Sequence, residues 1–129
     1  MDAATITEFA PPEGFGIVVF SAVAFYFSCR ATLPWVVPGS AAWDLVSAVF
    51  PAGPEWYRWV VRSIFWPMVL IHTAEAVIMD RTRLQKYGVQ RGSKLWWKWI
   101  AGCWIEGITT FKRIDRLAAA KRGQANKKK

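Results

Sequence analysis

The sequence has few of the residues on which most enzyme and cofactor sites depend. It contains two cysteines, one histidine and nine acidic residues among 129. The cysteines, Cys29 and Cys103, both lie inside apolar runs, so they indicate neither a disulfide framework nor a zinc site. A nucleophile elbow, a phosphate-binding loop, a Cys-x-x-Cys pair and a dinucleotide fingerprint are all missing. These absences argue against the common motif-bearing enzymes, and we predict no cofactor and no bound metal.

The start of the chain lacks the features of a cleavable targeting peptide. A secretory signal begins with a basic region, and a mitochondrial transit peptide is rich in arginine and poor in acids. Residues 1–13 instead carry acidic residues and prolines. We therefore expect a short acidic N-terminal segment over 1–13, followed by an apolar run that is retained as an anchor.

Long apolar runs separated by basic segments dominate the rest of the chain. Hydrophobic residues make up 53% of the sequence, and three runs, at about 14–33, 60–79 and 95–111, approach the roughly 20 residues that a transmembrane helix needs. Most of the nine tryptophans lie near the ends of these runs, where an indole ring can sit among lipid headgroups. The sequence predicts an all-α integral membrane domain over 14–111 with three transmembrane helices. An interfacial helix is the alternative for 95–111.

A short helix is predicted between the first two spans. Ser40 can cap a helix from Ala41 to Phe50, which has apolar side chains towards one side. Pro51 and Gly53 then interrupt it. We interpret this segment as an interfacial helix that lies along the membrane.

The formal net charge of +8 comes largely from the loop after residue 79 and from a basic tail over 112–129. Because no folded soluble module presents this charge, anionic lipid headgroups fit it better than nucleic acid does. The residues predicted to contact headgroups are Lys112, Arg113, Arg116, Lys121 and Arg122. With three spans, eleven basic residues lie on the side of the tail and six lie on the opposite side. Because basic residues prefer the cytosolic side, the tail is predicted to be cytosolic and the N-terminus to lie on the other side of the membrane.

Ionisable residues inside the predicted spans should face protein or a partner charge, because lipid does not solvate them. The predicted intramembrane polar cluster consists of His72, Glu75, Lys98, Glu106 and Arg62. Antiparallel pairing of the second and third runs about their midpoints places Glu75 level with Lys98, as an ion pair. The same pairing leaves Glu106 with two possible partners. One is Arg62, and the other is the carbonyl of Ser63, which Pro67 frees.

His72 supports two interpretations. It is predicted to lie level with Ala101 and Gly102, where small residues leave room for an imidazole that hydrogen-bonds across the helix pair. With Glu75 and Glu106 it would also make an acceptable transition-metal set. A single His-x-x-Glu lacks the second matching motif of a di-iron bundle, so hydrogen bonding is the preferred interpretation.

The chain resembles the transmembrane protein 254 family over about residues 55–122. The features that carry the resemblance are the entry Trp56 to Trp59, Leu70-Ile71-His72-x-x-Glu75, Tyr87-Gly88-Val89 with Gly92, and Gly107-Ile108 before a basic tail. Members of that family are small three-span membrane proteins without an established activity, so the resemblance implies a topology and adds little on function. Lys98 and Glu106 are not part of the shared pattern.

The predicted function is that of an accessory or scaffold subunit in a membrane or lipid-handling complex. Its expected partners are a bilayer with anionic headgroups and another membrane protein or further copies of the chain, without nucleic acid. The alternatives are a lipid- or sterol-modifying enzyme that uses His72 and Glu75, and a small oligomeric carrier. The predicted location is an endomembrane, with the endoplasmic reticulum favoured and a mitochondrial membrane as the alternative.

Overall fold

A computed structural model describes residues 5–127, and the described part of the chain is helical without strands. The helices are α1 (Phe15–Thr32), α2 (Ala41–Val49), α3 (Gly53–Met79), α4 (Lys94–Glu106) and α5 (Ile108–Lys127). A 3-10 turn, Leu33–Trp35, follows α1, and a π-helical turn, Asp80–Leu84, continues α3. The predicted all-α class is therefore confirmed.

Two segments are long and apolar enough to cross a membrane by length and composition. They are Phe15–Trp35, with 21 residues, and Gly53–Leu84, with 32. The first matches the predicted run at 14–33. The second begins seven residues before the predicted run and includes Pro67 within its helix.

The predicted third span, 95–111, is not one continuous helix. Helix α4 ends at Glu106, and Gly107 has φ 63° and ψ −133°, a conformation that favours glycine. With 13 residues, α4 is about 20 Å long, which is shorter than the roughly 30 Å hydrocarbon core. The prediction of one helix over 95–111 is wrong because Gly107 divides it.

The predicted helix between the first two runs is confirmed as α2. The Ser40 hydroxyl accepts a hydrogen bond from the backbone N–H of Trp43 at 3.1 Å, as an N-cap does. The helix ends at Val49, one residue before the predicted end.

The chain divides into two compact units. The hairpin unit, as we call it, is Ser21–Leu70 and contains the end of α1, α2 and the start of α3. Inside it, the Tyr26 hydroxyl donates to the carbonyl of Val61 at 2.8 Å, and the Arg30 guanidinium lies 5.2 Å from the centre of the Phe65 ring. These contacts hold its parts of α1 and α3 together.

The second unit, which we call the terminal unit, combines residues up to Phe20 with those from Ile71 onward. Its core surrounds Trp99 and Cys103 of α4, with Ile114 and Ala118 of α5. Ile6, from the segment before α1, is part of the same core, and its backbone N–H donates to the carbonyl of Tyr87 at 3.0 Å. Residues 5–13 are therefore packed against helices rather than extended away from them.

Candidate functional site

The terminal unit is built around a buried ion pair between Glu106 and Arg113. Glu106 is the last residue of α4 and Arg113 lies in α5, so the turn at Gly107 brings them together. Nη1 of Arg113 donates to both carboxylate oxygens, at 2.6 and 2.8 Å. The two side chains are only 1% and 5% exposed. Charges this deeply buried are stable only when they are paired.

Two aromatic rings lie beside the Arg113 guanidinium. Its central carbon is 5.2 Å from the centre of the Phe9 ring and 5.6 Å from that of Trp99. The two rings pack edge to face at 4.9 Å. Aromatic faces attract a guanidinium group, which matters here because Nε and Nη2 have no hydrogen-bond partner among the described residues.

Gly102 leaves space where α4 passes the guanidinium. A Cβ on Gly102 would lie 3.3 Å from Nη2 of Arg113 and 3.4 Å from the Phe9 ring. Gly102 was predicted to leave room for His72, but in the structure it leaves room for Arg113.

Glu106 also lies beside the first turn of α1. A Cβ on Gly16 would be 3.0 Å from Oε2 of Glu106, and the Thr109 hydroxyl donates to the same oxygen at 3.4 Å. A carboxylate at a helix N-terminus is favoured by the helix dipole. Glu106 thus links α1, α4 and α5, and its partner is Arg113 rather than the predicted Arg62 or Ser63 carbonyl. Arg62 is exposed on α3 within the hairpin unit.

His72 is held by the end of α4. Its Nδ1 donates to the backbone carbonyl of Trp104, and the two rings pack edge to face at 6.0 Å. The last carbonyls of a helix lack partners within the helix, so His72 acts as a side-chain cap. The Trp104 indole in turn donates to the Thr73 hydroxyl at 3.1 Å. The structure gives His72 a hydrogen bond across the helix pair, but at Trp104 rather than at Ala101 and Gly102.

The predicted ion pair between Glu75 and Lys98 is wrong. Within residues 5–127, no ion pair joins them, and Lys98 is exposed. Glu75 lies instead beside Gly107, where an added Cβ would be 2.6 Å from its Oε2. The pairing of α3 with α4 differs from the prediction by about one helical turn. Asp80, directly after α3, accepts from the Trp96 indole at 2.7 Å, which agrees with the same shift.

The five basic residues predicted to contact lipid headgroups have different surroundings. Arg113 is buried with Glu106, so it faces no headgroup. Arg116 binds Glu13 at 2.7 Å. Lys121 binds Glu8 at 3.2 Å and the Thr7 hydroxyl at 2.9 Å. The other two, Lys112 and Arg122, are exposed.

A second polar network, which the sequence analysis missed, joins the loop after α3 to α5. Nε of Arg83 donates to both oxygens of Asp115, at 2.9 and 3.0 Å, and the Tyr87 hydroxyl donates to Asp115 at 2.6 Å. Burial raises the pKa of Tyr87 above its usual value of 10, and the hydrogen bond to the Asp115 carboxylate raises it further. One acidic residue within a basic stretch was the only signal in the sequence.

Several polar side chains of the terminal unit are thus paired with one another, as Glu106 is with Arg113 and Asp115 is with Arg83. Among the residues that the structure describes, no three His, Cys, Asp or Glu side chains are grouped so that they could hold a metal ion. The arrangement joins α3, α4, α5 and the segment before α1.

Comparisons with family models, with curated proteins and with solved structures find no match to this chain. The resemblance to the transmembrane protein 254 family stays a prediction.

Proposed function

We propose that this chain is an integral membrane protein with two spans, α1 and α3, that acts as an accessory or scaffold subunit in a membrane or lipid-handling complex. The observation that supports this most is the exposure of large apolar side chains along both helices. Phe15 and Phe25 are each 71% exposed on α1, and Trp66 and Leu70 are each 66% exposed on α3. Apolar surface costs about 25 cal/mol per Å² in water, and lipid removes that cost.

Two spans also fit the contacts between residues 5–13 and the helices that follow α3. A chain that crosses a membrane twice returns to the side on which it began, so residues 5–13 and helices α4 and α5 would share one face. Within the terminal unit, the contacts of Ile6 with Tyr87 and of Glu13 with Arg116 fit that arrangement. With three spans these segments would lie on opposite sides.

The distribution of basic residues favours the same topology. Only Arg30, Arg58 and Arg62 precede Met79, so the other 14 of the 17 lysines and arginines follow α3. The connection over 36–52 contains none. Because basic residues prefer the cytosolic side, we place the terminal unit there. The three-span topology places six basic residues on the non-cytosolic side, whereas two spans place those six on the cytosolic side. Two spans also make the segment before α1 cytosolic.

A scaffold role fits the way the polar cluster is used. His72 caps α4 and Glu106 pairs with Arg113, so these side chains position helices. The apolar outer surface of the spans is left to contact lipid or another membrane protein. The endoplasmic reticulum, predicted from the sequence, is the location that we propose for the complex.

Alkaline extraction and site-specific cross-linking test this proposal. The protein should stay in the membrane pellet at high pH. A photoreactive residue at Leu70, which is exposed, should give a discrete cross-link to a protein, whereas one at the buried Met79 should not. Release of the chain by alkali would reject the membrane assignment. Cross-links to lipid alone at Leu70, Trp66 and Phe25 would reject the scaffold role.

A further inference from the structure

Two exposed tryptophans form an open corner at the start of α3. The Trp56 and Trp59 rings pack edge to face, with centres 5.3 Å apart and planes at 76°. Trp56 is 57% exposed and Trp59 is 60% exposed. With Glu55 they line a cleft of about 340 Å³, which we call the tryptophan corner. The corner lies entirely within the hairpin unit.

The sequence of α3 explains this arrangement. Gly53 begins the helix with φ 81°, and Trp56 and Trp59 are three residues apart, so their side chains share one face. Glu55 lies in the first turn, where the helix dipole favours a carboxylate. The corner therefore combines two aromatic rings with a negative charge at a fixed place.

The length of α3 places this corner among lipid headgroups. The segment Gly53–Leu84 has 32 residues and would extend about 48 Å as a helix, while the hydrocarbon core is only about 30 Å thick. Glu55 and Arg58 precede the apolar run that begins at about residue 60, so the charged first turns of α3 are the part that we place outside the hydrocarbon.

We propose that the tryptophan corner binds the quaternary ammonium group of a choline-containing phospholipid. This inference rests on the proposed function, because a headgroup reaches the corner only if α3 spans the membrane. A trimethylammonium group is a cation with an apolar surface, and aromatic rings are its usual binding partners. Glu55 supplies the opposite charge. A primary ammonium group is less suited, because its three N–H donors need acceptors that indole faces do not provide.

The test compares choline and ethanolamine lipids on the full chain in maltoside micelles. Short-chain phosphatidylcholine and phosphatidylethanolamine are titrated separately, and binding is followed by saturation transfer from aromatic protons to the headgroup. The parent should bind the choline lipid about fivefold more tightly. Trp59→Leu should lose that preference, and Trp59→Phe should retain part of it. Glu55→Gln should weaken the binding of both lipids, because both headgroups carry a positive charge.

Trp97→Leu is the matched control. Trp97 is also 60% exposed, and its ring packs edge to face on Trp96 at 4.7 Å. This variant removes one indole of equal exposure and should keep the choline preference. Equal binding of both lipids by the parent, or a preference that survives in Trp59→Leu, would overturn the inference.

Alkaline extraction of the same variants separates the two proposals. A parent that stays in the membrane but does not distinguish choline from ethanolamine contradicts the tryptophan corner alone. Release of the parent by alkali contradicts both proposals.

Discussion

Arg113 reaches back across the turn at Gly107 and donates to both carboxylate oxygens of Glu106. The residues are seven positions apart in the chain but belong to different helices. Because the turn brings them together, the ion pair and the break between α4 and α5 depend on each other.

Breaking this pair from either side should strongly destabilise the protein. Glu106→Gln and Arg113→Met each leave an uncompensated buried charge, which costs about 3–5 kcal/mol. The double variant should lose less than the sum of the two. Free energies of unfolding, measured in one detergent, would check this. The exposed pair Arg116–Glu13 is the control, and its loss should cost less than about 1 kcal/mol. Additive losses at Glu106 and Arg113 would contradict the coupling.

Replacing Gly107 should damage the same junction by two effects. An alanine there would adopt a glycine conformation, at about 1–3 kcal/mol, and its Cβ would lie 2.6 Å from Oε2 of Glu75, so the Glu75 carboxylate would have to move. Gly92→Ala is the comparison, since Gly92 also has a positive φ, 76°, but nothing lies within 4 Å of an added Cβ. Thermal unfolding should therefore show a larger loss for Gly107→Ala than for Gly92→Ala. Similar losses would show that the contact with Glu75 contributes nothing.

The helical class, the first run and the Ser40-capped α2 could be predicted from the sequence because each has a local signal. The pairing of α3 with α4 could not, because run midpoints do not fix it, and α3 begins seven residues before its apolar run while ending with it at Met79. The docking of residues 5–13 was missed because Ile6 and Phe9 are isolated apolar residues in an acidic segment. The buried face of α5 had a signal in Thr110, Ile114 and Ala118 at a spacing of four, but its basic composition suggested a solvated tail.

Cysteine labelling should show that both ends of the described chain share one side of the membrane. In a background with Cys29→Ser and Cys103→Ala, single cysteines are placed at the exposed positions Pro11, Asp44 and Gln124. Two spans predict that 11 and 124 react with an impermeant reagent from the same side and that 44 reacts from the other. Opposite labelling of 11 and 124 would reject two spans and support three.

Tyr87 should ionise only at unusually high pH. Its pKa is raised by burial and by Asp115. The protonated side chain therefore contributes fully to folding stability at pH values below the pKa of tyrosine in the unfolded chain, near 10. The effect is lost as pH rises through the folded value. Absorbance near 295 nm in a Tyr26→Phe, Tyr57→Phe background isolates this residue. Asp115→Asn should lower its pKa partly, because burial remains, whereas Asp44→Asn should leave it unchanged. A pKa near 10 in the parent would contradict the network.

His72 provides a test of the cap on α4. His72→Asn keeps a donor for the Trp104 carbonyl, whereas His72→Leu leaves that carbonyl without its partner, which costs about 1–3 kcal/mol when the group is buried. Leu should therefore lower the unfolding temperature clearly more than Asn. Thr73→Val removes the acceptor of the Trp104 indole but leaves the Trp104 carbonyl capped by His72. It therefore controls for general disturbance around Trp104, and it should lower the unfolding temperature less than His72→Leu does. If His72 instead served acid–base or metal chemistry, Asn and Leu would be equally stable and equally inactive. A stable, inactive Asn variant would overturn the structural role.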